Sequence, residues 1–231
     1  MAVEKVLSDK AYSLLRASSR AGFRHAYKRI RLDPQAYFEK LKRHLNLPAI
    51  HSWQQLQYLD DEELNPHADR VIKTSARLAA LEGVGFGLGG LAAALPDFGI
   101  LAAVTVRMLQ KLSLTYGFDY SSDEELFGLW LAAASAAGLD LGRDFLGKQA
   151  MEHAVPKIVD AVALRAGAEV AETIGTRVIP VVAAGAAGAL NYWFVKSWGR
   201  RAQRHFLERR GAMRVLPEPQ RPYLLRSSLP S

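Results

Sequence analysis

The sequence predicts an all-α protein, a single domain of seven or eight helices with alanine- and glycine-rich hairpins at its centre. Apolar residues recur at helical spacing along most of the 231 residues, and no run alternates apolar and polar residues as a strand would. An apolar content of 49% is sufficient for a core. The absence of cysteine excludes disulfides, thiolate metal sites and cysteine nucleophiles.

The N-terminal region, residues 1–64, begins with a predicted basic amphipathic helix over residues 3–31. Its apolar positions follow the helical repeat, and its last turn is rich in cations. These cations are expected to face a membrane surface, and they include Lys28, Arg29 and Arg31.

The later helix starts are marked by capping residues. A Ser, Thr, Asp or Asn side chain accepts a hydrogen bond from the exposed N–H groups of the first turn, and proline suits the first helical position. Ser52 with Gln55 and Ser122 with Glu125 have the spacing of a capping box. The signals predict helix starts after Asp33, Ser52, Asn65 and Ser122, while Pro156 and Pro180 interrupt the second half.

The most unusual stretch holds five glycines within eight residues: Gly83, Gly85, Gly87, Gly89 and Gly90. Gly85, Gly87 and Gly90 have the spacing G-x-G-x-x-G. A helical pattern precedes them, however, and no Lys-Ser/Thr follows, which disfavours a nucleotide-binding site. Glycine costs a helix about 1 kcal/mol relative to alanine. Close approach of a neighbouring helix is the usual compensation, so Gly83 and Gly87 are predicted to touch another backbone.

A charged interruption follows the glycines. Pro96 disfavours helical geometry at Leu95, and Asp97 can cap a new helix. The uncharged run is thereby divided into pieces too short to cross a bilayer, which predicts a helical hairpin with its tip at these residues. Asp97 is interpreted as a turn or cap residue in preference to a reactive carboxylate.

A second small-residue segment spans residues 178–195 and has eighteen uncharged residues. Its length is at the lower limit for a membrane span, so two interpretations stay open: a buried core helix, or a membrane-inserted element. The cations that follow are expected to face an anionic surface, and they are Lys196, Arg200, Arg201 and Arg204.

Several residues stand in a fixed order along residues 65–211: Leu95, Pro96, Asp97, Tyr116, Gly117, Gly175, Pro180, Gly185, Gly188, Asn191, Gly199, Phe206, Arg209 and Arg210. In this set the chain resembles the EcsC family, bacterial proteins named after a gene that neighbours an ABC transporter. One departure from the family pattern is that Val181-Val182-Ala183-Ala184 precedes Gly185. The resemblance implies a helical, membrane-proximal cytoplasmic domain over residues 65–213. It supplies no catalytic residues and no cofactor.

Other chemistry finds little support in the pattern. The six histidines form no H-E-x-x-H pair, and capping explains the acidic stretch from Asp60 to Asp69 more simply than a metal site does. The segment "GRRAQRHFLERR" is basic and aromatic, but no nucleic-acid-binding module surrounds it. We therefore expect a protein without catalytic, cofactor or metal residues, and nucleic acid is not an expected partner.

The charge distribution suggests the partner. Residues 1–53 hold eleven Lys or Arg against four Asp or Glu, residues 54–195 hold ten against seventeen, and residues 196–231 hold nine against two. The N-terminus lacks a signal-peptide core, and residues 214–231 are predicted to be a flexible tail. We expect a peripheral or monotopic protein of the inner face of the cytoplasmic membrane, bound to anionic lipid or to a partner such as a transporter. The alternative is a soluble adaptor that binds an acidic protein.

Overall fold

The computed structural model describes residues 9–29, 31–86, 90–139, 148–176 and 184–214. Within these ranges the chain forms eight α-helices and no strand, which confirms the all-α prediction. The helices are α1 (Asp9–Arg29), α2 (Pro34–Leu45), α3 (Trp53–Leu56), α4 (Asp61–Phe86), α5 (Gly90–Thr115), α6 (Asp123–Ala136), α7 (Lys148–Thr176) and α8 (Ala184–Arg214).

The long helices share one core. Helix α8 lies along α4, α1 packs against α5 and α7, and α6 packs against α7 and α8. Trp198 of α8 is fully buried, and its ring meets Phe23 of α1 at 6.0 Å and Phe194 at 4.9 Å between centroids. Because α1 contributes to this core, the N-terminal region and the rest of the chain form one packing unit.

A smaller apolar cluster lies beside the main core and holds α2 and α3 in place. It is built from Tyr37, Phe38, Leu41, Ile50, Leu56 and, from α5, Leu114. Trp53 packs on Phe38 with a centroid distance of 4.6 Å. This cluster fixes the short helix α2 against α5 and so positions the polar face of α2.

The capping predictions hold at three helix starts. Asp33 Oδ1 accepts the N–H groups of Gln35 and Ala36 at the start of α2, and Pro34 is the first residue of that helix. Gln55 Oε1 accepts the Ser52 N–H at 3.1 Å. Ser122 Oγ accepts the N–H of Glu125 at 3.3 Å, which starts α6.

Two prolines predicted to mark helix boundaries lie inside helices. Helix α4 begins at Asp61 and contains Pro66, so the predicted start after Asn65 is wrong; Pro156 similarly lies within α7. Three acidic residues in the first turn favour the earlier start of α4, because they oppose the positive end of the helix dipole. Both prolines are exposed. A proline has no N–H to donate, so one helix carbonyl loses its donor, and here that carbonyl lies on the solvent side of the helix.

The predicted hairpin tip at residues 95–97 is also wrong. Helix α5 runs from Gly90 to Thr115 and so passes through all three of these positions, while α4 ends at Phe86. A single proline costs a helix interior about 3 kcal/mol, and a helix that is stabilised by packing can tolerate that cost. Helices α4 and α5, which end and begin on either side of residues 87–89, pack against each other.

Some predicted features lie outside the described residues. These are Gly87, Gly89, Pro180 and residues 215–231, together with the side-chain surroundings of Gly83, Gly85, Gly90, Leu95, Pro96, Asp97, Gly175 and Gly185. The predicted contact between Gly83, Gly87 and a neighbouring helix therefore stays a prediction.

A helix that crosses a bilayer needs about 20 predominantly apolar residues. Among the described helices none is both long enough and apolar enough to cross a membrane.

Candidate functional site

The arginines of α8 are mostly engaged within the protein. Arg200 pairs with Asp69 of α4, and Arg201 lies 2.8 Å from Glu169 of α7. Glu169 is only 7% exposed and also accepts the Trp198 indole N–H at 2.9 Å. An arginine held in this way has to give up its partner before it can bind an external anion.

Arg210 is the most deeply buried of these cations, with 0% exposure. Its guanidinium donates to the carbonyls of Leu56, Gln57 and Leu59 and lies 2.6 Å from Asp61 Oδ1. Burial lowers the pKa of Arg210 to about 10, and the nearby Arg214 acts in the same direction. The residue fastens α8 to the segment between α3 and α4, which is a structural task.

The remaining predicted surface cations are exposed. Lys196 and Arg204 lie on the solvent side of α8, with the Lys196 ammonium 5.5 Å from the centre of the Tyr192 ring. The cations at the end of α1 and just after it are exposed as well: Lys28, Arg29 and Arg31. The structure thus separates the predicted membrane-facing residues into paired and accessible ones.

Tyr116, one of the residues behind the resemblance, lies in a buried polar network between α4, α5 and α8. Its hydroxyl donates to Asn65 Oδ1 at 2.7 Å and accepts from Gln203 Nε2 at 3.0 Å. Gln203 also donates to Asp69 at 3.1 Å. Burial raises the pKa of Tyr116 to about 12, so the hydroxyl stays protonated and serves as a structural donor.

Gly117 and Gly199 are required for close packing. Gly117 has φ +83°, and a Cβ there would lie 2.5 Å from the Trp53 carbonyl oxygen. A Cβ on Gly199 would lie 2.9 Å from Ile72 and 3.0 Å from Met108, so α8 approaches α4 and α5 closely at this point.

Two further residues of the resemblance lie on the same helix α8. Asn191 Nδ2 donates to the Ala79 carbonyl at 3.2 Å, and Gly188 is buried. Where the structure describes them, the residues of the resemblance therefore organise helix packing.

A group of cations that the sequence did not single out surrounds a half-buried histidine. We call it the His67 cluster; it consists of Lys40 and His44 on α2, His67 and Arg70 on α4, and Lys111 on α5. The rings of His44 and His67 are 5.6 Å apart, and Arg70 donates to His44 Nε2. In the parts of these helices that the structure describes, no carboxylate forms an ion pair with any member of the cluster.

Hydrogen bonds around Tyr37 determine which nitrogen of His67 carries the proton. Thr115 uses its only hydroxyl proton on the Lys111 carbonyl at 2.7 Å, so at 3.1 Å it accepts from Tyr37. Tyr37 has then spent its own proton, and its oxygen accepts from His67 Nε2 at 3.1 Å. Neutral His67 therefore carries its proton on Nε2, and Nδ1 is a buried acceptor for which the described residues supply no donor.

The electrostatics of the cluster keep His67 neutral. Burial lowers its pKa to about 4, and the nearby side chains of His44, Arg70, Lys40 and Lys111 add to the effect. The pKa of Lys111 is lowered as well, by burial and then by Arg107 and Lys40. Positive charge that no described carboxylate neutralises is an arrangement suited to an anion.

The acidic stretch considered for metal binding is divided among three environments. Asp61 pairs with Arg210, Asp69 with Arg200, and His67 bonds to Tyr37. Among the described residues no three His, Asp or Glu side chains come close enough to hold a metal ion. The structure thus places His67 on a different face of α4 from Asp61 and Asp69.

The sequence did not reveal the His67 cluster because its residues come from three helices. Arg70, Arg107 and Lys111 lie in the segment whose overall charge is negative, so the regional average conceals them. The usable signal was the spacing of four residues between Lys40 and His44, and between Arg107 and Lys111, which puts each pair on one helix face.

Comparison with known proteins gives one family. A family model described as the EcsC protein family matches residues 2–210, so the match begins well before residue 65 and includes α1 to α3. The protein EcsC of Bacillus subtilis (strain 168) is 37% identical over 84 residues. That alignment covers 36% of this chain and 36% of the relative. No solved structure matches.

Proposed function

The chain belongs to the EcsC protein family, and from this membership and its unpaired cations we propose that it is a non-enzymatic peripheral protein of the inner membrane face. It binds anionic lipid, alone or beside a membrane partner such as a transporter. The observation that carries the proposal is the contrast between the paired arginines of α8 and the unpaired His67 cluster.

Unpaired cations are the ones that can contribute to surface binding. Each Lys or Arg close to an anionic bilayer contributes about 1 kcal/mol, and the attraction falls off within a Debye length. Lys40, Arg70 and Lys111 retain this capacity because binding breaks none of the ion pairs among the described residues. The exposed cations at the end of α1 and just after it can contribute in the same way: Lys28, Arg29 and Arg31.

Vesicle binding tests the proposal. Phosphatidylcholine vesicles with and without phosphatidylglycerol are sedimented with the full chain at two salt concentrations. We expect binding to the anionic vesicles only, reduced by salt. Equal binding to neutral vesicles, or no binding at all, would overturn the proposal; no binding would instead support the adaptor that grips an acidic protein.

Two matched double variants locate the surface. Lys40→Gln with Arg70→Gln removes two cations of the His67 cluster, and we expect vesicle affinity to fall about tenfold or more. Lys196→Gln with Arg204→Gln removes two exposed cations of α8 and is the control. If the α8 variant loses as much vesicle affinity as the cluster variant, the exposed cations of α8 contact the membrane as well, and the assignment of the contact surface to the His67 cluster is wrong.

A further inference from the structure

The His67 cluster presents two features that rarely suit the same ligand. Its cations call for an anion, and the buried Nδ1 of His67 is a lone pair that calls for a hydrogen-bond donor. A fully deprotonated anion satisfies the cations and repels the lone pair. The ligand that satisfies both carries negative charge and a proton on the same group.

Phosphate chemistry meets this requirement. Phosphate monoesters have a second pKa of about 6, so one of their oxygens takes up a proton as the pH falls toward that value, and inorganic phosphate keeps at least one hydroxyl throughout the neutral range. Sulfate and phosphodiesters carry no proton in this range. A phosphate group can therefore donate through its own hydroxyl to Nδ1 and accept from the surrounding cations through its other oxygens.

We propose that the His67 cluster binds the phosphate of a monoester or of free inorganic phosphate, with a proton shared between one phosphate oxygen and His67 Nδ1. Lys40, Arg70 and Lys111 hold the remaining oxygens. The source is either a lipid headgroup that ends in a phosphate monoester or a phosphate compound in solution. The first of these rests on the proposed membrane attachment, and the second does not.

The proton makes binding depend on pH. The groups that face His67 are Tyr37, Lys40 and His44 from α2, Arg70 from its own helix, and Lys111 from α5. No carboxylate stands among these side chains, so the proton comes from the ligand or from solvent. Affinity for a phosphate monoester is expected to fall as pH rises above about 6, because its dianion has to recover a proton on binding, whereas the inorganic phosphate dianion keeps a hydroxyl of its own.

Calorimetric titration of the full chain with sodium phosphate, with a simple phosphate monoester and with sodium sulfate, at equal ionic strength and at pH 6.5 and 7.5, tests the site. We expect both phosphates to bind at least about tenfold more tightly than sulfate, and we expect the monoester to take up a proton at pH 7.5, visible when buffers of different ionisation enthalpy are compared. Equal affinity of the phosphates and sulfate, or binding of the monoester without proton uptake, would overturn the proposal.

His67→Gln isolates the role of Nδ1, since the glutamine amide nitrogen replaces Nε2 as donor to Tyr37 but offers nothing at Nδ1. We expect the preference for phosphate over sulfate to disappear. The control is His25→Gln, which alters an exposed histidine of α1 and leaves the preference intact. Retained preference in His67→Gln would refute the assignment; if this variant fails to fold, the comparison of phosphate with sulfate on the unaltered chain still decides.

Vesicles distinguish the two sources. Phosphatidylcholine vesicles containing phosphatidic acid, a monoester, are compared with vesicles of matched surface charge containing phosphatidylglycerol, a diester. A preference for phosphatidic acid assigns the site to a lipid headgroup. Phosphate binding in solution without such a preference assigns the site to a soluble phosphate compound. The phosphate site would then be supported even if the protein does not bind membranes.

Discussion

Arg210 near the end of α8 and Asp61 at the start of α4 are 149 residues apart in sequence, yet their side chains approach to 2.6 Å. The arginine is fully buried while the aspartate is partly exposed, at 41% for its side chain. The buried cation also satisfies three main-chain carbonyls, at Leu56, Gln57 and Leu59. Arg210 thus closes the helical domain by fastening its last helix to the segment between α3 and α4.

Removal of Arg210 is therefore expected to be costly. Arg210→Ala leaves buried carbonyls without their donor and opens a cavity, and we expect a loss of about 3 kcal/mol in the free energy of unfolding. Arg214→Ala is the matched control, because Arg214 contacts Gln57, Leu59 and Asp61 from a half-buried position. Urea denaturation followed by circular dichroism measures both. Equal losses in the two variants would contradict the role given to Arg210.

Gly117 combines a strained backbone with a close contact. At φ +83° a residue with a Cβ costs about 1–2 kcal/mol, and the Cβ would also lie 2.5 Å from the Trp53 carbonyl oxygen. We expect Gly117→Ala to destabilise by about 3 kcal/mol or more in thermal or urea unfolding.

Gly138 allows the backbone cost of a positive φ to be measured separately from the cost of a close contact. It has φ +72° but no atom within 4 Å of the position that a Cβ would take. Gly138→Ala is expected to cost only the backbone part, about 1–2 kcal/mol. If both glycine variants lose the same stability, close packing against Trp53 contributes nothing at Gly117.

Gly199 tests the close approach of helices that the small residues of this chain suggest. A Cβ there meets the buried side chains of Ile72 and Met108, so Gly199→Ala is expected to destabilise by about 1 kcal/mol or more. Gly99→Ala is the control in an open part of α5 and is expected to stabilise by up to about 1 kcal/mol. The two variants should differ in sign in thermal melts. A stabilised Gly199→Ala would exclude tight packing of α8 on α4 and α5.

Local sequence signals predicted local structure well. Asp33, Ser52 and Ser122 act within three residues of themselves, so their capping role is legible without knowledge of the fold. Pro66 and Pro156 show where such signals fail, because a helix stabilised by packing tolerates an exposed proline that a propensity argument would place at its end.

The candidate site could not be predicted from the sequence, because its residues come together only through the packing of different helices. Asp61, Asn65 and Asp69 are spaced four residues apart and share the face of α4 that meets Tyr116 and α8. His67 lies two residues from Asp69, about 200° around the helix, and so belongs with α2 instead. The acidic run that suggested a metal site is divided by this rotation, and only the arrangement of α2, α4 and α5 brings the cations together.

The low pKa of His67 predicts how stability depends on pH. Its value in the folded protein, about 4, lies below the ordinary value of 6.5, so the unfolded chain binds the proton more readily. The contribution of neutral His67 to the free energy of unfolding is fully present above pH 6.5 and is lost as the pH falls from 6.5 toward 4. Burial also lowers the pKa of His205, which adds to the loss in the same direction.

Urea unfolding at a series of pH values from 7.5 to 4 measures this dependence. We expect the free energy of unfolding to decline through that window, and we expect His67→Gln to flatten the decline because glutamine does not titrate. His205→Gln is the companion variant, and it should remove only the part that belongs to His205. A decline of unchanged steepness in His67→Gln would show that the buried imidazole is not held neutral by its surroundings. Sodium phosphate added at pH 6.5 should raise the stability of the unaltered chain more than that of His67→Gln, since a ligand that binds only the folded state stabilises it.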